Sequence, residues 1–412
     1  MNGPSPALVA RTRRLDRDVD PLAVAGARGF LFSRNRIGFA GRGEAVRFDR
    51  SASLEGIRSI VVDDEVRHPG TGPVGFTALP FLPGADSDVV VPELVVGRDA
   101  DGTRWATTVT PEGADSGDDP VRSVDELLER PTDDPRPAGP GAFTVSSSRP
   151  PEDWTDAVAD ATARIRAGEL DKVVLAREVV VTADAPIPVD TVMARLAATY
   201  PDCFLYMVDG FCGASPELLV GRSGDVVRAQ PMAGTAPRRG DPTADSRLAA
   251  NLLASTTYRH EHQVTIDAVH DGLLAFSSYV DYEPEPSVVA LANVQHLATN
   301  VEGRLSHPPA SILELVDALH PTPAVCGRPR DAALAVIEAL EGLDRGRYAG
   351  AVGWMDAEGN GQFAVAIRGA SFDGAVARVI AGNGLVGDSD PMTELAETRA
   401  KLQAMLGAIV RP

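Results

Sequence analysis

Apolar segments of strand length come in runs in this 412-residue chain, and helical segments come in separate runs between them. YAGAVGWM (348–355), GQFAVAIRGASF (361–372) and AVARVIAGNGLV (375–386) succeed one another with only short breaks. Runs of strands separated by runs of helices, without a regular β-α alternation, favour an α+β fold with antiparallel sheets. FLYMVDG (204–210) and FCGASPELLVGR (211–222) flank an Asp209-Gly210 turn signal and predict a hairpin, with Pro216 marking an edge or a bulge beside Glu217. The helical runs are equally legible. Trp154, Val158, Thr162 and Ile165 fall at helical spacing ahead of Gly168, and Ile266, Val269 and Leu273 form a stripe in the segment 245–276, which predicts one or two helices. A last helix is expected from Asp390-Pro391 onward.

The chain divides at a stretch rich in Asp, Pro and Ser. Residues 1–110 read as short strands and turns with no legible function, about 111–150 reads as a mobile, solvated connection, and the motifs that carry chemistry begin after it. The expected division is 1–140, a variable first portion of the same fold, and 150–412, the catalytic portion. No internal repeat is apparent.

Composition removes several function classes. A net charge of −19 without a basic block offers no footprint for nucleic acid or for anionic lipid, both of which need clustered Lys and Arg. Cys203, Cys212 and Cys326 are odd in number and lack C-x-x-C spacing, against a disulfide framework or a zinc ribbon. No apolar run reaches the ~18 residues of a membrane span, so no membrane partner and a cytoplasmic location are expected. With apolar residues enough for a self-sufficient core, a monomer is expected.

Of the 39 basic residues only Lys172 and Lys401 are lysines. Arginine keeps its proton in a protein, whereas a lysine can act as a base, so the two exceptions are candidates for chemistry. Glu394, Glu397 and Lys401 share one face of the last helix, where a surface ion pair is the simplest reading. In RHEHQ, His260 and His262 at i and i+2 point to different helix faces, which argues against zinc; Glu261, Glu394 and Glu397 supply the oxygen ligands that suit magnesium. Arg368, aligned with Ala364 and Ala366 on an expected strand, has room to receive a carboxylate, and Ala381-Gly382-Asn383-Gly384 reads as a glycine turn whose backbone could form an anion nest or serve as an ordinary hairpin turn.

Taken together, DKVVLAR (171–177), SPELL (215–219), PMAGTAPR (231–238), RHEH (259–262), NVQHLAT (293–299), LHPTPAVCGRP (319–329), YAGAVGW (348–354), FAVAIRGA (363–370) and ETRAK (397–401) resemble the chorismate-utilising enzymes, over about residues 150–405. The resemblance implies a large body of two facing antiparallel sheets flanked by helices. Members of that family that add ammonia carry another residue in place of Lys172 and work with a glutamine amidotransferase, so Lys172 implies water as nucleophile and no such partner. Ala233 stands where aminodeoxychorismate synthases commonly carry a lysine. The remaining motifs look like the isochorismate synthase branch, with salicylate synthase the nearest alternative and a non-catalytic carboxylate-binding protein the alternative from another class.

Carried over to this sequence, the resemblance makes Lys172 the base that activates water for attack at C2 of chorismate and Glu217 the acid that protonates the departing C4 hydroxyl. Glu261 and Glu397 would bind Mg2+, with Glu394 nearby. Lys401 and the backbone at Gly382 and Gly384 would help hold the ring carboxylate, Tyr348 and Arg368 the enolpyruvyl carboxylate, and His296 and Thr322 would line the ring. The product would feed menaquinone or siderophore synthesis. Thr256, Thr257 and Tyr258 depart from the charged residues usual ahead of the R-x-E-H motif.

Overall fold

The computed structural model describes residues 7–113, 119–129, 139–238 and 240–410. Two large sheets dominate it. The first runs, by strand, from Phe143–Ser147 through Lys172–Ala183, Val376–Leu385, Gly369–Asp373, Phe211–Ser215 and Phe204–Val208 to Phe30–Arg34, Ile37–Arg42, Leu94–Arg98, Arg104–Pro111, Leu8–Arg14 and Val61–Asp64. The second places Leu218–Ser223, Gly361–Val365, Ala351–Asp356 and Val74–Ala78 at its centre. A third, three-stranded sheet holds Met232–Pro237, Val294–Ala298 and Ser287–Ala290. Among the described residues the pairing is antiparallel except for Leu8–Arg14 with Val61–Asp64, as expected of strands joined mainly by short connections.

Both large sheets draw strands from before and after residue 140. Phe30–Arg34 pairs with Phe204–Val208 in the first, and Val74–Ala78 with Ala351–Asp356 in the second. Phe30, Phe32, Phe39 and Tyr206 from one sheet pack with Phe76, Val352 and Ala364 from the other into a buried cluster. A second cluster lies where Leu402, Met405 and Ile409 of the helix Pro391–Val410 meet Val179, Val181 and Val379. Leu395, Leu402, Met405 and Ile409 are thus on the buried face of that helix, and Glu394, Glu397 and Lys401 are left on another.

Of the connection expected at 111–150, residues 114–118 and 130–138 lie outside the described residues. The rest is structured. The helix Pro120–Glu129 buries Val124, and Phe143–Ser147 adds an edge strand to Val179–Ala183. The segment 245–276 spans two helices, Pro242–Ala254 and Thr256–Leu274, which meet at Ser255; its hydroxyl accepts from the N–H of Tyr258 and caps the second helix. The predicted hairpin forms, with Asp209 and Gly210 both at positive φ. No helix among the described residues is long and apolar enough to cross a membrane.

Candidate active site

The chain passes between the two large sheets at two adjacent corners, and each corner delivers a polar side chain. Phe211–Ser215 belongs to the first sheet and Leu218–Ser223 to the second, so Pro216 and Glu217 form the crossing. The return crossing, 366–368, lies between Gly361–Val365 and Gly369–Asp373 and ends on Arg368 at φ 56°. The corners are tied together: the Ser215 hydroxyl donates to Val365 O at 2.6 Å, Val365 N–H to Glu217 O at 3.1 Å and Ala214 N–H to Arg368 O at 3.1 Å. Arg368 therefore does not lie on a continuous strand with Ala364 and Ala366, as the alternation suggests. It occupies a left-handed corner position, a conformation that costs a side-chain-bearing residue energy and is maintained here by these cross-links.

A cavity of about 510 Å³ opens beside the corners. Lys172, Glu217, Glu261, His296, Tyr348, Arg368, Gly382, Gly384, Glu394, Glu397 and Lys401 all line it. These residues span more than 200 positions of sequence and come together only through the sheet order. Thr322 is the exception among the expected site residues. It is buried, but Ala324 and Val325 provide that part of the wall in its place. The cavity also takes in Thr257 and Tyr258, and Asp388 to Asp390 ahead of the last helix. Tyr258 stands one helical turn before Glu261, a spacing that could have identified it; the loop ahead of the last helix carries no comparable signal.

Lys172 begins a buried strand and is 4% exposed, with Nζ donating to Glu261 Oε1 at 2.7 Å. Glu217 is buried and carries no ion pair among the described residues; one oxygen accepts a long bond from Met232 N–H at 3.4 Å. Burial pushes its carboxyl up to about 7, against the smaller opposing effects of that bond, Lys172 and Arg368. The site thus has a primary amine and a carboxyl able to hold a proton at neutral pH, two groups suited to opposite directions of proton transfer.

Arg368 is half-buried with its Nε shut off from solvent, and no carboxylate among the described residues lies within ion-pair distance of it. Among those residues its Nε has no hydrogen-bond partner, and Nη2 lies 3.2 Å from His296 Nε2. His296 is pushed down to about 3 by burial and by the charges of Arg368 and Lys401, so its ring is neutral. With Nδ1 3.2 Å from the carbonyl of Gly234, which can only accept, the ring places its proton on Nδ1 and offers Nε2 as acceptor to Arg368. A half-buried guanidinium held in this way without a counter-ion among the described residues is a receptor for an anion, and its planar fork matches a carboxylate.

The residues 381–384 do not form a turn. Val376–Leu385 continues as a strand, pairing Gly382 with Ala176 and Gly384 with Val174. The glycines supply space in place of a nest: a Cβ on Gly384 would lie 2.7 Å from Lys172 Cε and 3.0 Å from Glu261 Oε1. Gly384→Ala is expected to fold, because the backbone is ordinary strand, and to lose at least tenfold in kcat/KM by displacing Lys172; steady-state kinetics beside a circular dichroism spectrum would check this.

Lys401 reaches the cavity with its donors engaged. Nζ contacts Gly382 O at 3.0 Å, Asn383 Oδ1 at 2.7 Å and Glu397 Oε1 at 2.7 Å. An ammonium has three donors, so this arrangement fixes Glu397 and leaves none over for a substrate carboxylate. Glu394 accepts from Asn383 Nδ2 at 2.9 Å, and burial followed by the charge of Glu397 raises its pKa. Glu261, Glu394 and Glu397 face the same cavity with oxygen donors only, and although their ligand atoms do not all lie within 4.8 Å of one another, the repulsion of Glu397 felt at Glu394 is what a cation drawing them together would relieve, so the donor chemistry fits magnesium. Histidine takes no part. His262 is buried, with Nε2 2.8 Å from Thr299 Oγ1, and His260 is exposed.

The family described as chorismate binding enzyme matches residues 42–410. The isochorismate synthase MenF of Bacillus subtilis (strain 168) is 32% identical over 85% of this chain and 77% of its own. The isochorismate synthase DhbC of the same organism is 41% identical over 63% of this chain and 68% of its own. The structure of MenF, the menaquinone-specific isochorismate synthase from Escherichia coli, superposes with a TM-score of 0.82 at 25% identity, covering 98% of this chain and 95% of that one. With its corners, its cavity and nearly its whole length accounted for, this chain belongs to the chorismate-binding enzyme family.

Proposed function

We propose that the chain is an isochorismate synthase, converting chorismate to isochorismate with water as nucleophile. The observation that carries this reading is the pairing, in one cavity, of the Lys172 amine with a Glu217 carboxyl whose pKa burial raises to about 7. The relatives support it: the two curated proteins and the solved structure above are all named isochorismate synthases.

In its amine form Lys172 takes a proton from water as the oxygen attacks C2. The C1–C2 π electrons shift to C1–C6, the C5–C6 π electrons shift to C4–C5, and the C4–O bond breaks. Glu217 gives its proton to the departing hydroxyl, which leaves as water, so one water enters and one leaves. Arg368, aligned by His296 and accompanied by Tyr348, holds the enolpyruvyl carboxylate and so fixes which ring carbon meets Lys172. Lys401 orients Glu397. A magnesium ion held by Glu261 and Glu397, with Glu394 beside them, would polarise the ring carboxylate and neutralise the glutamates.

Purified protein incubated with chorismate and magnesium is expected to give isochorismate, without ammonia and without a second subunit. Excess chelator should abolish turnover, and Glu261→Ala or Glu397→Ala should reduce it at least a hundredfold with the fold intact, Glu394→Ala less so. Salicylate and pyruvate as main products would assign the chain to the other branch, and full activity in chelator would remove the metal from the account.

A further inference from the structure

A second cluster of ligand-type side chains lies away from this cavity, on residues that the reaction does not use. His68 sits in the connection between the strands Val61–Asp64 and Val74–Ala78, and Asp99 and Asp101 sit in the tight turn between Leu94–Arg98 and Arg104–Pro111. His68 Nε2 is 3.4 Å from Asp99 Oδ2 and 3.3 Å from Asp101 Oδ2. Among the described residues, this is the one trio of His, Cys, Asp or Glu whose ligand atoms all lie within 4.8 Å of one another. We infer that His68, Asp99 and Asp101 form a binding site for a divalent transition ion of the zinc type, which clamps the connection containing His68 onto the turn.

Three features of the geometry support a metal. The first is the tautomer. His68 Nδ1 lies 3.0 Å from the carbonyl oxygen of Pro69, which can only accept, so the tautomer that satisfies this contact keeps its proton on Nδ1 and faces the lone pair of Nε2 toward two carboxylate oxygens. Acceptor facing acceptors is repulsive, and a cation between them removes the conflict. An Nδ1–H donated to a backbone carbonyl is also the usual support of a histidine that binds metal through Nε2.

The second feature is how the carboxylates are prepared. Asp99 Oδ1 accepts from Ala100 N–H at 2.7 Å and Asp101 Oδ1 from Thr103 N–H at 2.8 Å. Each carboxylate is held by one oxygen and presents the other, Oδ2, to the imidazole. Trp105, with its ring centroid 5.6 Å from that of His68, limits the motion of the imidazole from the side.

The third is distance. Charge-assisted N–H···O bonds are usually about 2.7–2.9 Å long, shorter than either contact here. Ligands bound to zinc at about 2.0–2.1 Å with tetrahedral angles stand roughly 3.3 Å apart, which is the spacing of Nε2 from the two oxygens. One imidazole nitrogen with two carboxylates suits zinc and its first-row neighbours better than magnesium, which prefers oxygen alone. The aspartates are half exposed, leaving water to complete the coordination.

The test uses the full chain stripped with a chelator and then dialysed against zinc chloride at pH 8. Wild type should retain one zinc per chain more than His68→Ala and more than the near-isosteric Asp101→Asn. Zinc should raise the melting temperature of the wild type and leave that of both variants unchanged, while all three proteins form isochorismate with magnesium at the same rate. Equal zinc content in wild type and both variants, or no zinc retained by any of them, would overturn the proposal. Because the readouts are metal content and melting temperature, failure here is distinguishable from failure of the isochorismate synthase reading.

Discussion

Lys172→Gln is expected to lower kcat by roughly 10²- to 10⁴-fold, the usual cost of losing a general base, with KM changed much less. Glutamine keeps a polar side chain of similar length at a position where the lysine side chain is only 4% exposed, so the change separates proton acceptance from packing. Lys401→Gln is the internal control, since it removes the other lysine of the chain. The Lys401 ammonium is spent on Gly382, Asn383 and Glu397, so its loss should loosen Glu397 and raise the magnesium concentration needed for half-maximal rate, with a smaller fall in kcat at saturating metal. Steady-state kinetics at several magnesium concentrations separate the two. Exchanged phenotypes would reverse the roles of the lysines.

Glu217→Gln removes the proposed proton donor and should also cost about 10²- to 10⁴-fold in kcat. It has a second, opposite signature. Folding raises the Glu217 pKa from 4.5 to about 7, so between those values the native state holds a proton that the unfolded chain releases. The stability this provides is complete below about pH 4.5 and is lost as pH rises through 7. Above that, the wild type buries a carboxylate with no ion-pair partner, whereas glutamine stays neutral. The variant should therefore melt higher than wild type at pH 8 and lose this advantage toward pH 5, which thermal denaturation at the two pH values would show. The kcat/KM of the wild type should fall as pH rises past 7, as Glu217 deprotonates.

The parts of this site that local periodicity controls were legible in the chain. Glu394, Glu397 and Lys401 share a helix face because the helix must bury Leu402 and Ile409 on another, and the Asp209-Gly210 hairpin follows from a turn that needs positive φ twice. The positions that depend on distant strands were not legible. Gly382-Asn383-Gly384 reads locally as a turn, yet in the fold these residues pair with the strand that starts at Lys172, and the glycines leave room for a side chain more than 200 residues away. Arg368 reads as strand because nothing local records that the chain changes sheets there. Thr322 belongs to a motif that reaches the cavity through Ala324 and Val325. The residues named by the family resemblance, Thr322 apart, line one cavity, while the conformations of its corners required the three-dimensional pairing.

In the proposed reaction water, activated at Lys172, attacks C2 while the C4 hydroxyl leaves. The most direct measurement is a single short incubation of the protein with chorismate and magnesium in water enriched in oxygen-18, followed by mass spectrometry of the isolated isochorismate. The account predicts one solvent oxygen in the C2 hydroxyl from the earliest time points. Isochorismate formed without label would mean that the hydroxyl migrates within the substrate, and the roles given to Lys172 and Glu217 would then be wrong.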